Sequence, residues 1–464
     1  MMPADATSDV LRTSSAHSSA GVVDVLVVGG GAAGLTAAMA AGQQAHAMGL
    51  PITVLVLDGA RRLGAKILVS GGGRCNVTHR EVDERDFHGG SRHAIKQVLR
   101  AFPHTATLDW MQRMGVALKL EETGKYFPVS DEARTVLEAL LRATREAGAG
   151  IRTGVRVVGI IAPSASDARP LFTIETTDGP LKARCVVLAT GGCSLPKSGS
   201  DGVGLQLARR LGHRLVEPVP ALAPLTCGEP AEVPAADAPP WAALAALQGL
   251  TVTARLEVQH RSGKRLASAE GPLLFTHFGL SGPAALDISR HFLRLAADAP
   301  QTAPEHRICL AHPAFRDLTA ADAWLMDHLK ADATHPLAHV LAELWPRRYA
   351  EMLAREVTGT DAAIRLSDLR RDQRRNLARW LSGMPLPVTG HRGWAFAETT
   401  AGGVALEEIN PKTMESRVVP GLYFCGEMID VDGRLGGFNF QWAWASGHVA
   451  GRHAVARLRS PGAP

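Results

Sequence analysis

Residues 25–34 read Val-Leu-Val-Val-Gly-Gly-Gly-Ala-Ala-Gly, and Leu-Thr-Ala-Ala-Met-Ala-Ala follows them. An apolar run that breaks into glycines and continues in small helix formers predicts a strand, a tight turn and a helix. Gly29 permits the turn, Gly31 lets the backbone approach a pyrophosphate, and Gly34 lets the helix lie close to the strand. The positive end of the helix dipole then faces negative phosphate. This stretch therefore predicts an α/β fold that binds a dinucleotide.

The same spacing also occurs as a plain glycine-rich loop in other α/β proteins, so a second signal is needed. Residues 52–57 form another apolar run, Ile-Thr-Val-Leu-Val-Leu, and Asp58 follows it. A carboxylate about 20 residues after the glycines accepts hydrogen bonds from an adenosine ribose. Asp58 lies 24 residues after Gly34. Its position favours an unphosphorylated ribose, as in FAD or NAD.

The length and composition allow two or three domains. The chain has 464 residues, of which 46% are hydrophobic and 20% charged, and single cores stop growing at roughly 250–300 residues. No apolar run approaches the roughly 20 residues of a membrane-spanning helix. Residues 1–20 lack the apolar segment of a signal peptide and are expected to form a disordered leader. The six cysteines contain no C-x-x-C pair, so we expect no disulfide framework, no metal site and a cytoplasmic location.

The order of patterns along the chain predicts a discontinuous domain. Residues 21–205 alternate short β-rich runs with helical stretches, which is typical of a mainly parallel sheet covered by helices. After a Pro- and Ala-rich stretch, shorter alternating strands predict a β-rich insert over residues 206–315. Helical periodicity predicts a helical subdomain over residues 316–384. Residues 385–460 return to the first pattern and are expected to complete the first domain.

Three further segments can approach the same ligand. Residues 70–76 read Ser-Gly-Gly-Gly-Arg-Cys-Asn, which places backbone amides, a guanidinium and an amide side chain together. The triple glycine is also compatible with a flexible turn. Residues 183–192 predict a buried strand that ends in Thr-Gly-Gly. Near the C-terminus, a glycine pair at residues 436–437 precedes a helix whose N-terminal dipole stabilises negative charge.

The chain resembles the BaiN/YhiN-type family of NAD(P)/FAD-dependent oxidoreductases in five motifs. They read G-G-G-x-A-G-L, S-G-G-G-R-C-N, L-A-T-G-G, L-L-F-T-H-F-G-L-S-G-P and G-E-x-x-D-x-x-G-x-x-G-G-x-N-x-Q, at residues 29–35, 70–76, 188–192, 273–283 and 426–441. The resemblance implies FAD in an α/β fold with a discontinuous Rossmann-like FAD-binding domain of the glutathione-reductase-like kind. A β-barrel-like insert and a small helical subdomain would interrupt that domain.

The resemblance also implies which residues contact FAD. The first glycine segment would hold the pyrophosphate, Asp58 the adenosine ribose, and the 70–76 loop the ribityl and flavin side. Residues 190–191 would line the path beside the nucleotide, and Asp430 with residues 437–441 would meet the ribityl chain and the pyrimidine end of the flavin. The full implied set is Gly29, Gly31, Ala32, Ala33, Gly34, Asp58, Lys66, Ser70, Gly72, Gly73, Arg74, Cys75, Asn76, Thr190, Gly191, Gly426, Glu427, Asp430, Gly437, Phe438, Asn439 and Gln441.

The reaction that the resemblance implies is the reduction of an activated C=C bond, with NAD(P)H as reductant. In the family this activity is assigned both to steroid-like enones and to uracil in ribosomal RNA, so a small-molecule enone and an RNA uracil are both candidate substrates. A general acid is needed opposite the hydride. The candidates are Cys75, whose pKa the neighbouring Arg74 would lower, and His277, on a turn facing the insert. Alternatively, Cys75 packs against the flavin ring and His277 ties its loop by hydrogen bonds.

An arginine cluster bears on the choice between these substrates. Arg370, Arg371, Arg374 and Arg375 would contact RNA phosphates if they share a surface. The alternative is a solvated helix face paired with nearby acids, and a net charge of +5 proves no contact with nucleic acid. A flavin-holding RNA-binding protein without redox turnover is a further possible class. The sequence leaves open the choice between NADH and NADPH and the oligomeric state.

Overall fold

A computed structural model describes residues 22–164, 170–228, 238–331, 333–359 and 363–459, and the expected leader, residues 1–20, lies outside them. The first strand, Val23–Val28, ends in the glycine turn, and a helix follows at Ala32–Ala47, as the sequence predicted. Gly29 has a φ of +106°, a conformation that favours glycine. A Cβ on Gly34 would lie 1.8 Å from the Gly29 carbonyl oxygen. Only glycine therefore lets this helix pack against the turn.

The first sheet has seven strands and is mainly parallel, which confirms the prediction. Parallel pairing joins the first strand to its neighbours on both sides, and a strand from the C-terminal segment is added in parallel as well. Two strands at one edge pair antiparallel. In spatial order the strands are Gly150–Thr153, Val54–Asp58, Val23–Val28, Leu181–Leu188, Phe172–Thr176 and Val157–Ile161, with Leu422–Phe424 paired to Leu181–Leu188.

Helices cover this sheet and form the first hydrophobic core with it. The C-terminal helix packs on the first helix through glycines. A Cβ on Gly447 would lie 2.4 Å from the Ala33 carbonyl oxygen, and one on Gly451 would lie 2.0 Å from that of Ala37. This packing holds the C-terminal helix against the helix that follows the glycine turn. The helices are Ala32–Ala47, Ala65–Gly73, Arg92–Ala101, His104–Arg113, Ala133–Glu146, Val203–Arg210 and Phe438–Arg459.

A second seven-stranded sheet is antiparallel throughout its described pairs. Its strands come from the part of the chain where the sequence predicted a β-rich insert, and from residues 384–391, which start at the last residue of the predicted helical subdomain. In spatial order they are Met384–Pro385, His306–Ala311, Thr251–His260, Arg265–Thr276, Gly279–Ser281, Leu225–Cys227 and Val388–His391.

The helices of the second half pack on this sheet in one shared core. Buried side chains of the 316–384 stretch, such as Leu325, Tyr349 and Leu377, belong to the same cluster as Leu256 and Phe275 of the strands. The insert and the helical stretch therefore share one hydrophobic core, and the domain boundaries stay predictions. The helices are Trp241–Ala245, Pro283–Asp298, Leu318–Ala331, Leu337–Leu341, Arg347–Thr358 and Arg371–Gly383.

Small sheets and single turns complete the described chain. One pair joins Leu215–Ala221 to Thr399–Val404, another joins Phe87–Gly89 to Val431–Gly433, and a three-stranded sheet contains Thr78–His79, Lys125–Pro128 and Leu118–Leu120. The 3-10 helices are Glu84–Asp86, Pro196–Ser198, Pro300–Glu305, Leu366–Asp368, Leu406–Glu408 and Gly426–Met428. Across the described ranges, every helix is too short or too polar to cross a membrane.

Candidate cofactor and substrate site

A cavity of about 670 Å³ lies where the glycine turn, the 70–76 loop and the start of the C-terminal helix meet. Cofactor pockets are typically about 300–1,000 Å³. Part of its lining is glycine backbone, which we name the backbone wall: Gly29, Gly31, Gly71, Gly72, Gly436 and Gly437. Other lining residues come from different segments of the chain and contribute side chains. We name them the side-chain wall: Lys125, Leu222, Ala395, Phe396, Glu398 and Thr399.

Asp58 lines the cavity at the end of its strand, and its orientation is fixed by the turn. Its two carboxylate oxygens accept backbone N–H groups from Gly30 and Ala60, each at 2.7 Å. Each oxygen keeps a lone pair for the hydroxyl groups of a ribose. A Cβ on Gly31 would meet no atom within 4 Å, so the backbone here is open to the cavity. These features fit the adenosine and pyrophosphate parts of FAD.

The 70–76 loop supplies an unsatisfied acceptor. Gly71, Gly72 and Gly73 have φ values of +56°, +69° and +86°, so the chain leaves helical geometry in the last part of Ala65–Gly73. Asn76 lines the cavity, and its Oδ1 is buried with no hydrogen-bond donor among the described residues. Since buried polar groups are normally paired, a ligand N–H is the expected partner. The structure therefore fits the polar edge of a flavin at this loop.

An ion pair links the helix that begins at Ala65 to the C-terminal part of the chain. The Lys66 ammonium donates to the Ser194 hydroxyl at 2.6 Å and pairs with the Glu427 carboxylate. Glu427 Oε1 also accepts the hydroxyls of Ser194 at 2.6 Å and Thr400 at 2.8 Å. Four segments far apart in the chain are thus held together beside the cavity. The sequence predicted Lys66 and Glu427 but assigned no role to Ser194 and Thr400, whose hydroxyls meet Glu427 only in the folded chain.

The structure brings most of the implied FAD-binding residues to the cavity and leaves six away from it. Gly34 packs against the turn, and Gly73 and Cys75 are not among the lining residues. Phe438 is buried against His79, with ring centroids 4.9 Å apart. Gln441 is fully buried, where its amide oxygen accepts the hydroxyls of Thr78 and Thr107 at 2.8 Å. Asp430 is also buried. The implied residues that do line the cavity are Gly29, Gly31, Ala32, Ala33, Asp58, Lys66, Ser70, Gly72, Arg74, Asn76, Thr190, Gly191, Gly426, Glu427, Gly437 and Asn439.

The environment of Cys75 contradicts the expected activation of its thiol. The side chain is fully buried, and burial raises the pKa of the thiol to about 12. Arg74 does not lower it, because its guanidinium donates to Glu121 at 2.6 Å and stacks 3.9 Å over the Phe127 ring. The residues that line the cavity do not include Cys75. The expectation that Arg74 makes this thiol acidic is wrong.

The structure also leaves His277 outside the cavity wall. The side chain is exposed on a turn and contacts the Phe278 ring, with centroids 5.1 Å apart. The Arg392 guanidinium stacks over Phe278 at 4.2 Å and over Phe396 at 3.7 Å. Of these side chains, Phe396 is the one that lines the cavity. His277 is therefore not among the residues that line the cavity.

The fold and the site define a class: a Rossmann-type, FAD-binding flavoprotein oxidoreductase. The family model described as "HI0933-like protein Rossmann domain" matches residues 23–453, and the chain belongs to this family.

Two named proteins are similar to this chain over nearly its whole length. A 3-dehydro-bile acid delta(4,6)-reductase of Clostridium scindens is 32% identical over 93% of this chain and 98% of its own length. A ribosomal RNA dihydrouridine synthase of Escherichia coli is 29% identical over 94% of this chain and 99% of its own length. A solved quinol-fumarate reductase is 15% identical, with a TM-score of 0.49 over 96% of this chain and 73% of that one.

Proposed function

We propose that the protein is a cytoplasmic, FAD-dependent reductase that takes electrons from NAD(P)H and reduces an activated C=C bond in a small enone. FAD, when bound, passes an electron pair from the nicotinamide to the substrate. The observation that carries the proposal is the full-length match to a reductase named for a steroid-like substrate. The side-chain wall supports it, because apolar Leu222 and Phe396 lie beside the polar Lys125 and Glu398 in one cavity.

Under this proposal, the backbone wall and the polar groups next to it bind or orient the cofactor. Asp58 accepts the ribose hydroxyls, and Gly31 admits the pyrophosphate to the helix that begins at Ala32. Asn76 Oδ1 accepts a flavin N–H. The positive end of the C-terminal helix, which begins at Phe438, stabilises negative charge at the flavin. The two walls enclose the substrate and limit the access of water.

A second candidate is a ribosomal RNA uridine reductase, which the Escherichia coli relative favours. Arg371 and Arg375 are exposed one turn apart on the helix Arg371–Gly383. Arg370 lies beside Asp372 at 3.3 Å, and Arg374 is turned inward, with 22% of its side chain exposed and Asp322 at 3.1 Å. Two of the four predicted arginines are therefore available to RNA phosphates. A flavin-holding RNA-binding protein without redox turnover is a third candidate, which these arginines favour equally.

Anaerobic mixing of the purified holoprotein with NADPH or NADH separates the reductases from the third candidate. We expect the yellow colour to bleach with at least one nicotinamide and to return on addition of cyclohexenone or androstenedione. An unbleached flavin with both nicotinamides would reject the reductase proposal and favour RNA binding without turnover.

The two reductase candidates are separated in a strain from which the gene is deleted. Under the enone proposal, the dihydrouridine content of ribosomal RNA stays at the parental level. Loss of a dihydrouridine that returns when the gene is restored would favour the RNA substrate.

A further inference from the structure

The side-chain wall holds one carboxyl group without a protein partner. Glu398 immediately precedes the strand Thr399–Val404, and its backbone N–H donates to the Leu222 carbonyl at 3.2 Å. Its own carbonyl accepts the Ser194 hydroxyl at 3.4 Å. Both contacts fix the main chain, whereas the carboxylate has neither a hydrogen bond nor an ion pair among the described residues. Its side chain lines the cavity, where a bound molecule can reach it.

The charges that act on Glu398 come from separate elements. Lys66 of the helix Ala65–Gly73 and Lys125 of the strand Lys125–Pro128 favour the carboxylate, and Asp287 of the helix Pro283–Asp298 disfavours it. Although the side chain is accessible from the open cavity, the walls that surround it raise the pKa of its carboxyl group. Lys66 is already neutralised by Glu427. Lys125, in contrast, has no ion-pair partner in the part of the chain that the structure describes.

A hydroxyl beside Glu398 also lacks a partner. Thr399 lines the cavity with only 2% of the residue exposed, and its Oγ1 has no hydrogen bond among the described residues. Buried hydroxyls are normally paired, so this group is available to a ligand atom. The wall thus presents an acid, a cation and a hydroxyl, and the apolar faces of Leu222 and Phe396 lie next to them. This combination suits a ligand that is apolar apart from one polar end.

We propose that Glu398 donates the proton to the reduced C=C bond and that Lys125 stabilises the negative charge on the carbonyl oxygen of the substrate. The inference rests on the proposed function. One carbon of the enone receives a hydrogen with the electron pair that NAD(P)H supplied, and the π electrons move toward the carbonyl oxygen. The Glu398 O–H bond then breaks, and its proton forms a C–H bond at the second carbon. Glu398 is left as a carboxylate and regains a proton from water.

The test separates the two half-reactions of the holoenzyme by anaerobic stopped-flow absorbance. The variants are Glu398→Gln, Lys125→Met and, as a matched control, Glu138→Gln, which changes an exposed carboxylate on the helix Ala133–Glu146 outside the cavity. Bleaching by NAD(P)H should stay within about twofold of the unaltered enzyme in all three, because that step needs no proton from Glu398. FAD content and melting temperature are measured for each variant.

The variants are expected to differ in the rate at which cyclohexenone or androstenedione reoxidises the reduced enzyme. Glu398→Gln and Lys125→Met should each slow this reoxidation at least about 100-fold, which is the lower limit for a lost general acid and for a lost donor to a developing oxyanion. Reoxidation by ferricyanide, which takes up no proton, should be unchanged in every variant. Glu138→Gln should match the unaltered enzyme throughout.

A pH profile separates a proton donor from a structural residue. In the unaltered enzyme the enone step should slow as the pH rises through the pKa of Glu398, because the neutral acid is lost. Lys66, Lys125 and Asp287 are the charged groups that act on it, and Glu427 pairs with Lys66. All four are unchanged in Glu398→Gln, which should lose this alkaline limb. If the Gln variant does not fold, Glu398→Asp replaces it in the test. This variant keeps a carboxyl group, so it must retain the alkaline decrease of the enone step and an enone rate within about tenfold of the unaltered enzyme.

The outcomes that overturn the proposal are distinct from those that overturn the proposed function. An enone rate in Glu398→Gln equal to that of the unaltered enzyme, or an unchanged alkaline limb, rejects the proton donor and leaves the reductase proposal standing. If neither cyclohexenone nor androstenedione reoxidises the reduced enzyme, the proposed function is rejected, and the role of Glu398 in enone reduction with it.

Discussion

The two walls of the cavity are built by different means. The backbone wall consists of glycines whose spacing along the chain sets the local geometry, as the 1.8 Å approach of a Gly34 Cβ to the Gly29 oxygen shows. The side-chain wall comes from segments far apart in the chain that only the tertiary fold brings together: Lys125, Leu222, Ala395, Phe396, Glu398 and Thr399. Cofactor binding therefore depends on local motifs, whereas the contacts with substrate depend on tertiary pairing.

The largest expected effect comes from the glycines beneath and on the backbone wall. Gly34→Ala should destabilise the protein by about 3 kcal/mol or more, since overpacking typically costs 1–3 kcal/mol and a carbonyl oxygen blocks the new methyl group. The matched variant Gly31→Ala has free space and should keep its melting temperature. It should weaken FAD at least tenfold, or about 1.4 kcal/mol. Equal melting temperatures for the two variants would contradict the predicted difference in space around Gly34 and Gly31.

The next effect depends on pH and concerns Asp430, a buried residue that does not line the cavity. Burial, with the nearby Asp432 charge, raises the pKa of Asp430 from 3.8 to about 6. When folding raises the pKa of a carboxyl group, the group stabilises the folded state at pH values below its pKa in the unfolded protein. That contribution is lost as the pH rises from about 4, the pKa in the unfolded protein, through 6, the pKa in the folded protein.

Asp430→Asn should therefore match the unaltered protein near pH 4 and be more stable above pH 6. Two pKa units correspond to a gain of up to about 3 kcal/mol. Urea unfolding across this range measures the difference. A constant difference at every pH would show that the carboxyl group does not titrate as the structure requires.

Cys75 should affect stability rather than catalysis. Because the thiol is buried in the first core, Cys75→Ala should cost about 1 kcal/mol and leave both half-reactions unchanged. Its pKa of about 12 also predicts that iodoacetamide does not alkylate it in the folded protein at neutral pH. Mass spectrometry of the labelled peptide measures this, and rapid labelling would restore Cys75 as a candidate acid.

The smallest stability effect is expected on the side-chain wall. Phe396 is 46% exposed and contacts the Arg392 guanidinium at 3.7 Å, so Phe396→Ala should cost only about 0.5 kcal/mol. FAD affinity should be unchanged, while the KM for androstenedione should rise severalfold. A loss of FAD affinity as large as that of Gly31→Ala would show that the two walls are not separate in function.

The sequence predicted those parts of the fold and site that depend on short-range spacing. The strand and helix around Gly29 are confirmed, and Asp58 lies at the cavity, because alternating strands and helices place both at the same edge of a mainly parallel sheet. Glu398 could not be found in this way. It precedes a strand that pairs with residues 215–221, nearly two hundred positions earlier in the chain, and no local pattern marks it.

Two errors have a common cause, since neighbours in sequence need not face the same way. Arg74 and Cys75 are adjacent, yet the guanidinium reaches Glu121 and the thiol enters the core. Asn439 faces the cavity, whereas Gln441, about 200° further round the same helix, bonds to Thr78 within the core. Predicting these directions requires the packing of the helix, which a motif does not contain.

The central claim is that distant segments of this chain hold a single FAD. Calorimetric titration of the apoprotein with FAD and with FMN tests it most directly, because FMN lacks the adenosine that Asp58 would bind. We expect one FAD per chain and an affinity for FMN at least 100-fold weaker, or about 2.7 kcal/mol. No uptake of FAD, or equal affinity for the two flavins, would contradict the claim.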